Sequence, residues 1–180
     1  QNLLNMPFST ENGAVIYFPK IRFNKIKNSS SFGRYWSVRI AKLSSKNWYQ
    51  FLKLKQKKYN FFIAQDLSPK ILKKYTNLNN TNMMLDREAS QIILWEDNLT
   101  KLKLFKKDLK SEKDGVLIKG SRFMQISSIC NKRIAKKLIS HVYDIQFRDK
   151  YSMNTIALGD SRNDIDTVSY THLRAHETGS

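Results

Sequence analysis

The sequence predicts an α/β fold in which a parallel sheet, built from the two ends of the chain, carries an inserted α+β module. A strand–turn–strand pattern occupies residues 1 to 19, and mixed strand and helix patterns fill residues 20 to 125. In residues 126 to 166, a helical pattern over 132 to 147 precedes the apolar run 155 to 158. That run ends in an acidic loop, as a buried parallel strand does when it leads to an active site. We therefore expect the first and third segments to form one core.

The first elements are predicted by turn residues and by alternation. Two β-prone runs, 7 to 10 and 14 to 18, flank Asn12-Gly13, a dipeptide that favours the positive φ angles of a tight hairpin. Residues 19 to 33 are polar and rich in turn formers, which predicts a linker. Residues 36 to 40 alternate apolar and polar side chains, which indicates a half-buried strand.

The elements of the inserted module follow from capping residues and apolar spacing. Ser45 is predicted to cap a helix, and Ser68-Pro69 to open another with proline in its first turn. Leucines and a phenylalanine at helical spacing predict a longer helix over 98 to 113. The predicted strands of the module are 59 to 64, 92 to 95 and the hairpin 116 to 118 with 123 to 126.

The chain has a net charge of +17 over 180 residues. Such a charge fits a nucleic-acid or other anionic partner. The lysines are nevertheless spread along the whole chain, and A/T-rich codons would also make Lys, Asn, Ile, Phe and Tyr abundant. We therefore expect solvated lysines, whose field favours a phosphorylated substrate, and no nucleic-acid partner.

The content of apolar residues and cysteine indicates which classes of protein the chain can belong to. Apolar residues make up 41% of the chain, enough for a core. No run approaches the roughly 18 apolar residues of a membrane span, so no membrane partner is expected. The single cysteine, Cys130, cannot form a disulfide within the chain, which predicts a cytoplasmic location.

The last residues are expected to be non-native. Residues 168 to 178 agree throughout with the translation, in one frame, of a transposase-type sequencing-library adapter. We therefore expect native sequence to end at Asp166 and residues 167 to 180 to derive from the adapter. His172, His176 and Glu177 have the spacing of a helical zinc site, but on this interpretation they bind no metal.

The acidic loop Gly159-Asp160-Ser161-Arg162-Asn163-Asp164 is the first candidate site. Asp160, Asn163 and Asp164 offer the hard oxygen ligands that Mg²⁺ prefers, and such an ion neutralises charge on a transferring phosphoryl group. The same acids would also suit a helix N-terminus, whose dipole favours negative charge. The spacing alone leaves both interpretations open.

Other candidates are basic or hydroxyl residues. Lys132 begins a predicted helix, where the dipole disfavours a cation, so it is either a phosphate ligand or one more surface lysine. Arginine can bind an anion through two parallel hydrogen bonds. Each of the remaining candidates either contacts an anion or is structural: Arg87, Ser90, Ser121 and Arg122.

Together these segments resemble a known family. Thr10–Tyr17 is similar to the "ENGA" strand–turn of haloacid dehalogenase (HAD) phosphatases with a large C2-type cap, and Gly159–Asp164 to their GDxxND motif. Asp86–Ser90 with Leu94–Asp97, and Lys119–Phe123, are similar to the mannosyl-3-phosphoglycerate phosphatase branch. The resemblance extends over nearly the whole chain up to Asp166.

The resemblance implies a HAD-like Rossmannoid core with an inserted C2-type cap. It implies Mg²⁺-dependent hydrolysis of mannosyl- or glucosyl-3-phosphoglycerate to the glycosylglycerate. Another capped sugar-phosphate phosphatase is a close alternative. A basic nucleic-acid-binding protein and a catalytically inactive binding protein are alternatives of other classes.

The resemblance also implies residue roles. Asp160, Asn163 and Asp164 would surround Mg²⁺, and Lys132 would hold the phosphoryl group and the nucleophile. Asn12 and Gly13 would border the active site. The residues expected to contact the glycerate-phosphate end of the substrate are Arg87, Ser90, Ser121 and Arg122.

The chain departs from the family pattern at three points. Asn131-Lys132-Arg133 replaces Gly-Lys-Asp, and Gln125 stands where a histidine is common. The family's nucleophilic aspartate belongs to a DxD motif before the ENGA turn, and no such motif precedes that turn here. We therefore expect the 180-residue chain by itself to lack phosphatase activity.

Overall fold

The structure is a computed structural model that describes residues 5–77, 81–120 and 123–147. These residues form two four-stranded sheets and five helices. Sheet A has the strand order β1-β2-β4-β3, and sheet B the order β5-β6-β8-β7. The strands of sheet A are β1 (Phe8–Thr10), β2 (Val15–Pro19), β3 (Ser30–Phe32) and β4 (Tyr35–Arg39). Those of sheet B are β5 (Phe61–Ile63), β6 (Ser90–Trp95), β7 (Gly115–Lys119) and β8 (Met124–Ser128).

The helices largely begin where their capping residues predict. They are α1 (Ser45–Lys55), α2 (Pro69–Thr76), α3 (Asn82–Leu85), α4 (Leu99–Lys113) and α5 (Lys132–Phe147). Ser68 caps α2 as predicted, with Pro69 in the first turn. The N-cap of α1 is Ser44, one residue before the predicted Ser45, because Asn47 completes a reciprocal capping box with Ser44.

Sheet B is covered by helices on both faces. On one face, Ile63, Ile93 and Ile126 pack with Trp48 of α1 and Phe105 of α4. The opposite face is formed by the intervening side chains of β6, which alternate across the strand. There, Ile92 and Leu94 pack with Ala64, Leu72 and Met84.

Sheet A is covered on one face by α5. Ile16 and Phe18 of β2 and Val38 of β4 pack against Ala135 and Val142 of the helix. Burying each large apolar side chain contributes roughly 1.5–3 kcal/mol, so this face anchors α5 firmly. The opposite face of sheet A carries Phe8, Tyr17, Phe32 and Tyr35.

The predicted parallel sheet is wrong for the described part of the chain. Every strand pair there is antiparallel, and the structure is α+β, without a parallel Rossmannoid core among these residues. The tight turn after β1 returns the chain directly and forces β1 and β2 to be antiparallel. β2 is buried throughout because α5 covers one face and residues near Ala89 cover the other, not because it lies in a parallel sheet. The predicted strand 155 to 158 lies outside the described residues.

The predicted domain borders fall within the sheets. β2 ends at Pro19 and pairs with β4, so sheet A combines strands from both sides of residue 19. β8 crosses residue 125 and belongs to sheet B. The predicted linker from 19 to 33 contains β3. Within the described ranges, none of the helices combines the length and apolar character needed to cross a bilayer.

Candidate functional site

The turn between β1 and β2 has an unusual backbone. Glu11, Asn12 and Gly13 have φ angles of 51°, 58° and 87°. Left-handed conformations cost most residues roughly 1–2 kcal/mol, whereas asparagine tolerates them and glycine adopts them freely. The positive φ predicted for Asn12 and Gly13 is confirmed, and Glu11 shares it. A strained residue that persists needs compensating contacts from its surroundings.

Gly13 lies directly against the start of α5. A methyl group at this position would be 2.5 Å from the carbonyl oxygen of Asn131 and 3.0 Å from the backbone nitrogen of Lys132. Only glycine leaves room for this approach between the turn and the helix. The structure therefore brings Asn12-Gly13 and Lys132 together from distant parts of the sequence.

Asn131 organises the N-terminus of α5. Its side-chain oxygen accepts a hydrogen bond from the backbone N–H of Ile134 at 3.0 Å, the interaction expected of a helix-capping residue. Lys132 follows as the first helical residue and is exposed to solvent. Where HAD phosphatases have a Gly-Lys-Asp pattern, this chain has a capping side chain, Asn131, immediately before the candidate lysine.

The Glu11 carboxylate joins the turn to the segment before β6. It accepts hydrogen bonds from the backbone N–H groups of Glu88 at 2.8 Å and Ala89 at 3.1 Å. It also accepts a hydrogen bond from the Ser90 hydroxyl. A single carboxylate thereby satisfies three donors and connects the two sheets.

Tyr17 makes a second connection to the same segment. Its hydroxyl donates a hydrogen bond to the Glu88 carboxylate. Burial, reinforced by this hydrogen bond and by the negative charge of Glu88, raises the pKa of Tyr17 above its usual range. The phenol therefore remains protonated throughout the physiological pH range.

Arg87 immediately precedes Glu88 in the same segment. Its Nε donates to the carbonyl of Met84 at 3.3 Å. Burial lowers the pKa of the Arg87 guanidinium from its usual value, and the charges of Glu11 and Asp86 act in the opposite direction. The side chain stays cationic, because arginine does not lose its proton in proteins at neutral pH.

An open cleft of about 360 Å³ lies between the face of sheet A opposite α5 and the segment 86 to 88. One wall is aromatic, with Phe8 stacked on Tyr17 at a centroid distance of 5.0 Å. The opposite wall is charged. The full lining comprises Phe8, Thr10, Glu11, Tyr17, Phe32, Tyr35, Asp86, Arg87 and Glu88.

The predicted site residues fall into three sets. Asn12, Gly13 and Lys132 meet at the start of α5. Arg87 lines the cleft, whereas Ser90 is fully buried and its hydroxyl is bound to Glu11. The remaining predicted residues lie outside the described part of the chain: Ser121, Arg122, Asp160, Asn163 and Asp164.

The predicted magnesium ligands, Asp160, Asn163 and Asp164, have side chains whose chemistry suits the ion. Two carboxylates and one amide are hard oxygen donors and fit Mg²⁺. Residues 5–77, 81–120 and 123–147 contain no group of three or more His, Cys, Asp or Glu side chains that could hold a metal ion.

Several residues of this region were missed at the sequence level. Glu11 belongs to the ENGA segment, but its partners lie 77 to 79 positions away and nothing local identifies them. The aromatic wall had a detectable signal, because Phe8 and Tyr17 flank a predicted hairpin turn. Their common face follows once Phe8 is placed opposite Tyr17 in the register.

Comparisons with known proteins assign no family. No protein-family model matches the chain. No curated protein matches it significantly either.

Proposed function

We propose that this chain belongs to a Mg²⁺-dependent phosphatase, related to the HAD superfamily, that hydrolyses mannosyl- or glucosyl-3-phosphoglycerate to the glycosylglycerate. The observation that carries the proposal is the contact of Gly13 with the Asn131–Lys132 peptide. The two segments that resemble the ENGA turn and the lysine motif are far apart in sequence and adjacent in the fold. The antiparallel sheets lend no support, so the proposal rests on motifs and on this contact.

The chemistry assigned to the chain is binding and positioning. Lys132 would neutralise charge on the phosphoryl group, and the Asn12-Gly13 turn would set the position of its helix. Arg87 would bind the carboxylate of the glycerate moiety, since its guanidinium lines the cleft. Magnesium, held by Asp160, Asn163 and Asp164, would supply electrostatic neutralisation of the phosphate.

The test is phosphate release by the protein encoded by the reading frame that contains this sequence. We expect release from both glycosyl-3-phosphoglycerates and its loss when Mg²⁺ is chelated. Lys132→Ala should lower kcat by about 100-fold or more, the effect of removing one electrostatic stabiliser. Lys137→Ala, which removes an exposed lysine from the same helix, is the matched control and should leave kcat unchanged.

Two outcomes would contradict the proposal. One is the absence of phosphate release from both compounds. The other is equal turnover by the Lys132 and Lys137 variants. Salt-sensitive binding of RNA or DNA in a gel shift, without turnover, would instead favour the nucleic-acid alternative.

A further inference from the structure

β7 (Gly115–Lys119) forms a free edge of sheet B. Among the described residues it pairs with β8 alone, over its whole length and without a bulge. The other edge strands of the two sheets, β1, β3 and β5, have three residues each, whereas β7 has five. Alternate residues of an edge strand direct their N–H and C=O groups away from the sheet, so β7 can accept another strand.

The side chains of β7 are largely apolar. Val116, Leu117 and Ile118 occupy its centre and are half-buried, and its single charged residue, Lys119, is the last. Leu117 packs with the core residues of α1 and α4. Because side chains alternate across a strand, Val116 and Ile118 lie on the opposite face. β7 thus lacks the proline, the bulge and the short length that protect many natural edge strands from pairing.

The helix α4 lies over β7, on the same face as Leu117, and α1 lies beside it over β6. The side of α4 that faces α1 is acidic, because Asp108 and Glu112 accept hydrogen bonds from Lys55 of α1. In the strand order of sheet B, β6 lies two positions inside β7. The opposite side of α4 therefore faces outward, above the free edge.

That outward side of α4 carries a row of lysines. With about 3.6 residues per turn, four lysines fall on the side of the helix opposite Asp108 and Glu112. This lysine row comprises Lys103, Lys106, Lys110 and Lys113. All four are exposed, and none has an acidic ion-pair partner within the described ranges of the chain. A strand added to β7 therefore meets positive charge on its α4 side and apolar side chains on the other.

A second copy of the chain is one candidate for pairing with β7, since identical strands can pair around a two-fold axis. Antiparallel pairing of two β7 strands places both α4 helices side by side on the same face of the joined sheet. Their lysine rows would confront each other, and this repulsion disfavours the dimer. A nucleic acid would neutralise the lysines but would leave the main-chain groups and apolar side chains of β7 without partners.

We propose that β7 binds an extended segment of a partner protein, in which acidic and apolar residues alternate, as a fifth strand of sheet B. The acidic side chains meet the lysine row, and the apolar ones pack on Val116 and Ile118. Main-chain hydrogen bonds to β7 provide affinity, and the alternation provides specificity. Such binding requires neither a metal nor phosphate chemistry, so it stands independently of the proposed function.

The experiment is the fluorescence anisotropy of a labelled peptide, Glu-Val-Glu-Val-Glu-Val-Glu, titrated with the 180-residue chain. We expect saturable binding that weakens as salt is raised, with slower hydrogen exchange at the backbone amides of β7. Lys106→Ala combined with Lys110→Ala should weaken binding about five- to tenfold. Lys70→Ala combined with Lys74→Ala, which removes exposed lysines at the same spacing on α2, is the matched control and should bind like the wild type.

Two N-methylated peptides distinguish strand addition from simple attraction between charges. Successive N–H groups of a strand point to opposite sides. Methylation of the glutamate nitrogens and methylation of the valine nitrogens therefore remove donors from opposite edges of the peptide. One of these two peptides should lose binding, and the other should keep it.

Four results would overturn the assignment. The first is no binding of the acidic peptide at millimolar concentration. The second is equal binding of a peptide with lysine in place of glutamate, or equal binding by the α4 and α2 double variants. The third is equal binding of both N-methylated peptides, which would mean that no strand is added. The fourth is displacement of the peptide by a single-stranded oligonucleotide, which would assign the lysine row to a nucleic acid.

Discussion

The hydroxyl of Ser90 donates a hydrogen bond to the carboxylate of Glu11, 79 positions earlier in the chain. The same carboxylate accepts the N–H groups of Glu88 and Ala89. These bonds fasten the first turn of sheet A to the first residue of β6 in sheet B. Together with the hydrogen bond from Tyr17 to Glu88, these bonds hold the two sheets in their relative position and so define the shape of the cleft.

Replacement of Glu11 by alanine should destabilise the protein by about 2–4 kcal/mol. Three donors lose their acceptor together. A fully buried donor left unsatisfied costs roughly 1–3 kcal/mol, and these donors cost less each because their hydrogen bonds are only partly buried and water can replace the carboxylate. Urea denaturation followed by circular dichroism measures the change. Glu96→Ala removes an exposed glutamate next to β6 and should change stability by less than about 0.5 kcal/mol. Equal urea midpoints for the two variants would show that the hydrogen bonds to Glu11 make no net contribution to stability.

Replacement of Gly13 by alanine should destabilise the protein more than the same replacement at Gly33. Both glycines have positive φ, so both variants pay the left-handed backbone cost of roughly 1–2 kcal/mol. Only at Gly13 does the added methyl group meet another atom, 2.5 Å from the Asn131 oxygen, whereas nothing lies within 4 Å at Gly33. Differential scanning calorimetry should show a larger fall in Tm for Gly13→Ala. A fall no larger than that of Gly33→Ala would mean that α5 does not approach the turn so closely.

Tyr17 should make stability depend on alkaline pH. Burial and the hydrogen bond to Glu88 raise its pKa in the folded protein, so the folded state holds this proton more tightly than the unfolded chain. The contribution is complete below the usual tyrosine pKa of about 10 and is lost as the pH rises towards the folded-state value.

The comparison of wild type with Tyr17→Phe isolates that contribution. The difference in free energy of unfolding should be about 1 kcal/mol at neutral pH and should shrink above about pH 10. Tyr75→Phe, at an exposed tyrosine, should show no such trend. If the difference in free energy of unfolding stays constant through the alkaline range, the pKa of Tyr17 is not raised in the folded protein.

Asp108 should contribute to stability at neutral pH but not in acid. It accepts hydrogen bonds from the Tyr59 hydroxyl at 2.8 Å and from Lys58 at 3.0 Å. The hydrogen bond from Tyr59, with those of Lys58 and Lys55, lowers its pKa against the opposing effect of burial. A lowered pKa means that the stabilisation is present above the unfolded-state value of about 3.9 and is lost as the pH falls through the folded-state value.

Asp108→Asn should therefore cost about 1 kcal/mol at pH 7, a modest value because the carboxylate is partly exposed and solvent screens its charges. The difference from wild type should shrink in urea melts as the pH falls below about 3.9, the usual pKa of an aspartate. Asp114→Asn breaks an exposed ion pair with Lys42 and should leave stability unchanged. A deficit for Asp108→Asn that persists at low pH would point to lost packing instead of lost charge.

Local features of the fold were accessible from the sequence, whereas the pairing of distant strands was not. Asn12-Gly13 predicted its turn, Ser68-Pro69 its helix start, and apolar spacing the whole of α5, because each signal lies within a few residues. Strand direction depends on partners far along the chain. The continuous burial of β2, which is typical of parallel strands, arises here from α5 and from residues near Ala89.

In the candidate site too, single residues could be predicted from the sequence, whereas the contacts between distant residues could not. Gly13 and Lys132 were named individually, and the structure supplies their contact. Glu11 and Tyr17 escaped notice because a glutamate beside a turn and a tyrosine in a strand are common surface features. Their importance comes from Glu88, Ala89 and Ser90, which no spacing rule connects to them.

The packing of α5 on sheet A also bears on the order of folding during synthesis. Sheet B and its helices occupy the continuous stretch from Ser45 to Ser128 and can assemble as soon as that stretch has left the ribosome. Ile16 and Phe18 pack against Ala135 and Val142 of α5. They therefore stay uncovered by the helix while more than a hundred further residues are synthesised. During that interval the first hairpin exposes an apolar face, and a nascent chain paused before α5 would be the form most in need of a chaperone.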